Sequence, residues 1–186
     1  IKTLPHHKKA PLYSLDAPNL FQRVHFDHFG PINVKFPPGI KSHPYKYVLV
    51  MVDSLTLNCE LVPTKTTSAE EVAENLLSVW ASRYGIPEFL LSDRGSGYMS
   101  ALAQAIYKLC GIKHLRTSPR HPATNSRAEN LNKILIRTLR AFCSEQHTWP
   151  DFLPIVAMAH RATVITSTCV SPFYAMYHQN MRLPID

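Results

Sequence analysis

Three carboxylates in this chain combine residue type and spacing in a way that could do chemistry. Asp27 lies in Val24-His25-Phe26-Asp27-His28-Phe29-Gly30-Pro31, Asp93 in Ser92-Asp93-Arg94-Gly95, and Glu129 follows with 35 residues between it and Asp93. Three acids brought close together repel one another, so such a cluster serves as a cation site or as an acid/base pair. The cation case suits phosphodiester chemistry, in which two Mg²⁺ ions about 4 Å apart activate a water or 3′-hydroxyl and steady the leaving oxygen. Mg²⁺ takes hard oxygen ligands and keeps several waters, so two or three carboxylates suffice. Each acid also has a plainer reading. Asp27 and Asp93 could be turn residues at strand ends, and Glu129 could be a first-turn acid that favours its helix dipole. Asp53, which also ends an apolar strand, is the rival acid and reads as structural, part of the strand-end turn.

The elements that must position these acids follow from periodicity. Phe21–Phe29 alternates like a half-buried strand with Asp27 near its end. Tyr45–Asp53 is apolar almost throughout, as expected of a strand covered on both faces. Leu57–Pro63 is a third strand, and the short links predict an antiparallel meander. Ser68 with Glu71 forms a capping box for a helix that Gly85 ends, with Val72, Ala73, Leu76, Val79, Trp80 and Arg83 on one face. Phe89-Leu90-Leu91 is a short buried strand that delivers Asp93. Ser100–Cys110 is a helix closed by Gly111, and Ile112–Arg116 a fifth strand. A helix over about 125–146 places Leu131, Ile134, Leu135, Thr138, Leu139 and Phe142 on its buried side. Asn125, Asn132, Lys133, Arg137 and Arg140 share the face of Glu129. Trp149-Pro150 introduces a helix over Phe152 to about Ile165, and Ser171-Pro172 caps a last short one.

Composition narrows the function classes. The 186 residues suit one domain with a sizeable core, and 20 Lys and Arg against 13 Asp and Glu leave a net charge of +7. Such a balance favours a polyanion. Between Lys108 and Arg140 stand eight basic residues and one acid, Glu129, so the excess sits around a candidate catalytic residue. Cys59, Cys110, Cys143 and Cys169 have no short spacing and read as reduced, mostly buried thiols, neither a disulfide framework nor a zinc site. His6-His7 has no Cys nearby and reads as solvated linker. The longest apolar run, Tyr47–Val52, is too short for a bilayer. Residues 1–20, with Pro5, Pro11 and Pro18, read as an extended linker without the apolar core of a signal peptide. Opening on Ile1, the chain is expected to be part of something longer.

In combination and order the motifs resemble the catalytic core of retroviral and long-terminal-repeat retrotransposon integrases, most of all the Ty3/gypsy kind. The resemblance runs from about Phe21 to Pro184. It rests on His25-Phe26-Asp27 with Gly30-Pro31, Tyr84-Gly85-Ile86-Pro87, Ser92-Asp93-Arg94-Gly95, His121-Pro122, Thr124-Asn125, Glu129-Asn130-Leu131-Asn132 and Ser171-Pro172-Phe173. It implies an α/β, ribonuclease H-like fold, a five-stranded mixed sheet flanked by helices, over residues 21–186. It further implies that residues 1–20 follow a zinc-binding module that is absent from this sequence. The implied activity is a polynucleotidyl transferase that trims the 3′ ends of element DNA and joins them to target DNA. Asp27, Asp93 and Glu129 would then be the catalytic ligands of Mg²⁺, with Mn²⁺ as substitute. Asn125 and Lys133 match positions where this family contacts DNA; Arg127, Arg137 and Arg140 would by charge alone be phosphate contacts, the alternative being a solvated helix face. The partners would be double-stranded DNA and further copies of the chain, a dimer or higher, with no membrane. The work would be done in the nucleus, after a cytoplasmic stage.

Several positions depart from the family pattern. Ser126 stands where Gly is usual, Ala123 and Gly97 where Gln is frequent, Tyr98 where Phe is, and Arg161 where Asn is. An alternative reading is therefore a catalytically impaired or domesticated core that serves as a DNA-binding or oligomerisation module. A stand-alone nuclease or transposase of the same fold is a second, which His121-Pro122 and Ser171-Pro172-Phe173 disfavour.

Overall fold

A computed structural model describes residues 19–34, 36, 42–93, 95–116, 136–138 and 147–183. The sheet has five strands, β1 (Arg23–Phe29), β2 (Tyr47–Asp53), β3 (Cys59–Thr64), β4 (Phe89–Ser92) and β5 (Lys113–Arg116), in spatial order β3-β2-β1-β4-β5. The first three form the antiparallel meander, and β4 then pairs parallel to β1 and β5 parallel to β4. This is the mixed sheet of the ribonuclease H-like fold.

The uniform apolarity of β2 has a simple cause. Val48, Val50 and Val52 face one layer, where Leu57, Cys59 and Leu61 join Trp149, Leu153, Val156 and Ala157 of helix α5 (Trp149–Ala162). Leu49 and Met51 face the other, with Val24, Phe26 and Leu90 of the sheet. There they meet Val72, Leu76 and Trp80, Tyr98 of α3 (Ser96–Met99), and Ala103 and Tyr107 of α4 (Ala101–Leu109). Both sides of the strand are thereby removed from water, the main source of stability in a sheet of this kind.

The helix before β4 is less regular than its apolar pattern implies. α1 (Ala69–Asn75) runs into a π-helical stretch, Leu76–Ala81, and a closing turn, α2 (Ser82–Tyr84). The side chains of Asn75, Ser78 and Ser82 each donate to the carbonyl four residues back, at 2.7, 2.7 and 2.6 Å. These bonds compete with the backbone ladder, a physical reason for its widening here. Gly85, at φ 85°, ends the helix as expected. Half of the expected capping box forms. Ser68 accepts from the Glu71 amide, but the Glu71 carboxylate turns to the amides of Lys65 and Thr66 and so ties down the loop instead.

Four further expectations need correction. Arg83 is exposed and pairs with Glu60 at 3.4 Å instead of sharing the buried face. α5 starts at Trp149-Pro150 as expected but ends at Ala162, short of Ile165, and α3 is a separate turn that the sequence pattern did not reveal. Of the described cysteines only Cys59 is buried, Cys110 being partly covered and Cys169 exposed. α6 (Pro172–Tyr177) forms as expected, with Ser171 Oγ accepting from the Tyr174 amide at 3.1 Å. The linker expected over residues 1–20 lies outside the described residues except for Asn19 and Leu20, as does the helix over 125–146 except for the helical residues 136–138. Among the described residues no helix is long and apolar enough to cross a membrane.

Candidate active site

The register of β1 and β4 brings two of the three acids together. Phe26 is opposite Ser92 in this parallel pair, so the next residues along, Asp27 and Asp93, lie side by side at the carboxyl ends of neighbouring strands. Asp27 is also the partner of Val50 on β2, which faces the α5 layer, so the Asp27 side chain points to that side of the sheet. Their proximity registers in the electrostatics. The Asp27 pKa is raised to about 6, chiefly because burial penalises the charge, with the nearby Asp93 carboxylate adding to the rise and the His28 amide opposing it.

Backbone amides orient both carboxylates. Asp27 Oδ1 accepts from the His28 amide at 2.8 Å, and Asp93 Oδ1 accepts from the Gly95 amide at 2.8 Å. A Cβ on residue 95 would stand 2.9 Å from that Asp93 oxygen, so Gly95 leaves room for the turn that holds it. Two hard-oxygen donors held side by side, whose charges resist one another, suit a small divalent cation. Among the described residues no group of three or more His, Cys, Asp or Glu is placed to hold a metal. Glu129 lies outside the described residues, as do Asn125, Arg127, Lys133 and Arg140. Arg137 is described, as an exposed residue of a helical turn.

Asp53, the rival acid, is wholly buried and committed to structure. Its carboxylate accepts from the Phe21 amide at 3.0 Å, the Thr56 amide at 2.8 Å and the Thr56 hydroxyl at 2.7 Å. Burial still raises its pKa against those bonds. It staples the start of β1 to the β2–β3 turn.

Neighbouring polar residues support the site from below, and of these sequence reasoning passed over His114. The Tyr98 hydroxyl and His28 Nδ1 are hydrogen-bonded at 2.6 Å. Ser92 Oγ donates to the Asp93 carbonyl at 2.9 Å and contacts His114 Nε2 at 2.8 Å. The only sequence signal for His114 was its position two residues before the end of the strand beside β4. Beside α3, Thr66, Thr67, Ser68, Ser96, Ser100 and Leu102 line an open cavity of about 370 Å³. Its wall depends on Gly97, where a Cβ would fall 2.0 Å from the Thr67 carbonyl oxygen.

Comparison with known proteins gives a consistent picture. The integrase core domain family matches residues 22–122. The Gag-Pol polyprotein of feline leukemia virus is 33% identical over 128 residues, 68% of this chain and 7% of that protein. The Pro-Pol polyprotein of simian foamy virus type 3 (strain LK3) is 30% identical over 167 residues, 88% of this chain and 14% of that protein. The chain thus spans a small part of the polyproteins it matches. A solved structure described as a simian T-cell lymphotropic virus intasome in complex with PP2A regulatory subunit B56 gamma matches 91% of this chain and 60% of its own, with a TM-score of 0.60 and 21% identity. That likeness bears on the fold.

Proposed function

This chain belongs to the integrase core domain family, and on that premise we propose that it is the catalytic core of a retroviral-type integrase, processing the 3′ ends of element DNA and joining them to target DNA. The observation that carries the reading is the side-by-side placement of Asp27 and Asp93 at the ends of two parallel strands. Glu129 is proposed as the third acid. The described donors fit Mg²⁺ or Mn²⁺, and bound cations would polarise a phosphate oxygen and make a water or 3′-hydroxyl a better nucleophile.

The chain's own residues have distinct tasks in this account. Asp27 is held within the ladder, its Oδ1 on the His28 amide, so little motion is left to it when a ligand arrives. Asp93 lies one residue past β4 and is aimed by the Gly95 amide. With its pKa raised to about 6, Asp27 holds a proton more readily than an ordinary carboxylate until a counter-charge enters. Arg127, Arg137, Arg140, Lys133 and Asn125 are proposed to hold the DNA, mainly through phosphate, so binding should weaken steeply with salt. Further copies of the chain and a nuclear place of work belong to the same proposal.

A pre-branched DNA substrate tests it. In Mg²⁺ the protein should resolve the branch by transferring a 3′-hydroxyl, and Asp27→Asn should abolish the reaction. DNA binding without any transfer, in Mg²⁺ or Mn²⁺, would favour the non-catalytic DNA-binding module.

A further inference from the structure

We propose that Gln104, His114 and Ser92 form a directed hydrogen-bond chain that positions Asp93, making them positioning residues for the cation-binding carboxylate. The inference rests on reading Asp93 as a ligand. Its starting point is a difference between the two acids. Asp27 sits inside a ladder, paired with Val50. The pairings of β4 with β1 and with β5 both end at Ser92, so Asp93 receives no strand partner among the described residues. Something other than the sheet must fix its peptide.

The polarity of the chain follows from one acceptor. Gln104 Nε2 lies 3.1 Å from the carbonyl oxygen of Tyr98 and 3.0 Å from His114 Nδ1. A carbonyl oxygen can only accept, so the amide nitrogen of Gln104, not its oxygen, must face Tyr98. Its second hydrogen then points to His114 Nδ1, which therefore accepts. A neutral imidazole whose Nδ1 accepts carries its hydrogen on Nε2, and that nitrogen is 2.8 Å from Ser92 Oγ. Ser92 thus receives from His114 and spends its own hydrogen on the Asp93 carbonyl at 2.9 Å. These bonds run in one direction, from α4 across β5 to β4.

The elements confirm that these groups share a side. His114 is opposite Leu90 in the parallel pair, and Ser92 follows Leu90 by two, so both project to the layer that holds α4. Tyr107 of α4 packs its ring 5.1 Å from that of His114 and limits the imidazole's rotation. The carbonyl of Asp93 is thereby fixed by Ser92 while its carboxylate is fixed by Gly95. Ligand-supporting bonds of this sort affect cation affinity as well as fold stability.

The experiment compares the wild type with Ser92→Ala, Ser92→Thr and Gln104→Met. It measures Mg²⁺ affinity by calorimetry, the Mg²⁺ concentration for half-maximal transfer on branched DNA, and the melting temperature. Ser92→Ala should weaken Mg²⁺ affinity about tenfold, the lower end of the range for a supporting bond behind a ligand. Ser92→Thr, which keeps the hydroxyl, should restore it, and Gln104→Met should weaken it in the same direction without touching either strand of the site. Equal Mg²⁺ affinity in wild type, Ser92→Ala and Gln104→Met, with only the melting temperature lowered, would overturn the proposal and leave a network that merely satisfies buried groups. A wild type that takes up no cation at all would overturn the reading of Asp93 as ligand, and this inference with it.

Discussion

The Tyr98 hydroxyl is hydrogen-bonded to His28 Nδ1 across 2.6 Å, joining the turn of helix after Asp93 to the residue after Asp27. The two rings stand 5.3 Å apart, and burial holds His28 down to a pKa of about 4, against the upward pull of the Asp93 and Glu71 charges. The hydroxyl and the histidine thus tie the two strand ends that carry the acids. Tyr98→Phe should leave His28 Nδ1 without its hydrogen-bond partner and cost about 1–2 kcal/mol. Urea denaturation at neutral pH is the check, and an unchanged midpoint would mean that the bond adds nothing.

Gly97 is where two backbones touch. Because a Cβ there would stand 2.0 Å from the Thr67 carbonyl, Gly97→Ala must push α3 and the loop before α1 apart. Overpacking of this kind costs about 1–3 kcal/mol. The same loop is held by the Glu71 carboxylate, so it has little room to yield. Thermal unfolding should show the loss, together with lower transfer activity, since α3 begins three residues after Asp93.

Stability should fall on acidification through His25. Burial, and secondarily the Arg23 charge, lower its pKa from 6.5 to about 4. Between those values the unfolded chain takes up a proton that the folded chain refuses, so the contribution is intact above pH 6.5 and is lost as pH falls towards 4. His160, lowered chiefly by burial, acts in the same sense. Asp27, raised to about 6, acts in the opposite one in metal-free buffer. The difference between wild type and His25→Gln cancels those two. Urea midpoints at pH 7 and pH 4.5 should show the wild type losing on the order of 2 kcal/mol more than the variant.

Arg161 is a brace between three elements. Its guanidinium donates to Asn58 Oδ1 at 3.1 Å and the Cys59 carbonyl at 2.6 Å and pairs with Glu60 at 3.0 Å. Glu60 in turn accepts from Tyr84 at 2.6 Å, linking α5, the edge strand β3 and α2. Arg161→Asn should cost about 2 kcal/mol, between the values for exposed and buried pairs. The urea midpoint reads that loss.

How much of this was legible in the sequence varied with the range of the interaction. The alternation of β1 and the unbroken apolarity of β2 are local patterns, and both formed the strands they indicated. Asp53 was legible as structural because strand-end turns use their own aspartates. The resemblance supplied the sheet's mixed topology, which periodicity alone left open after the meander. The Gln104–His114–Ser92 chain was invisible because it depends on register between strands and on one rotamer of a distant helix. The π-helical stretch escaped because serine and asparagine back-bonds leave the apolar spacing almost unchanged.

Cation binding by Asp27 and Asp93 is the claim on which the rest depends, and titration of Mn²⁺ followed by electron paramagnetic resonance measures it without reference to activity. The account predicts that Asp27→Asn and Asp93→Asn each weaken uptake by the wild type at least tenfold, and that the double variant is little worse than either, since both acids serve one site. Mn²⁺ uptake that survives both substitutions unchanged would contradict it.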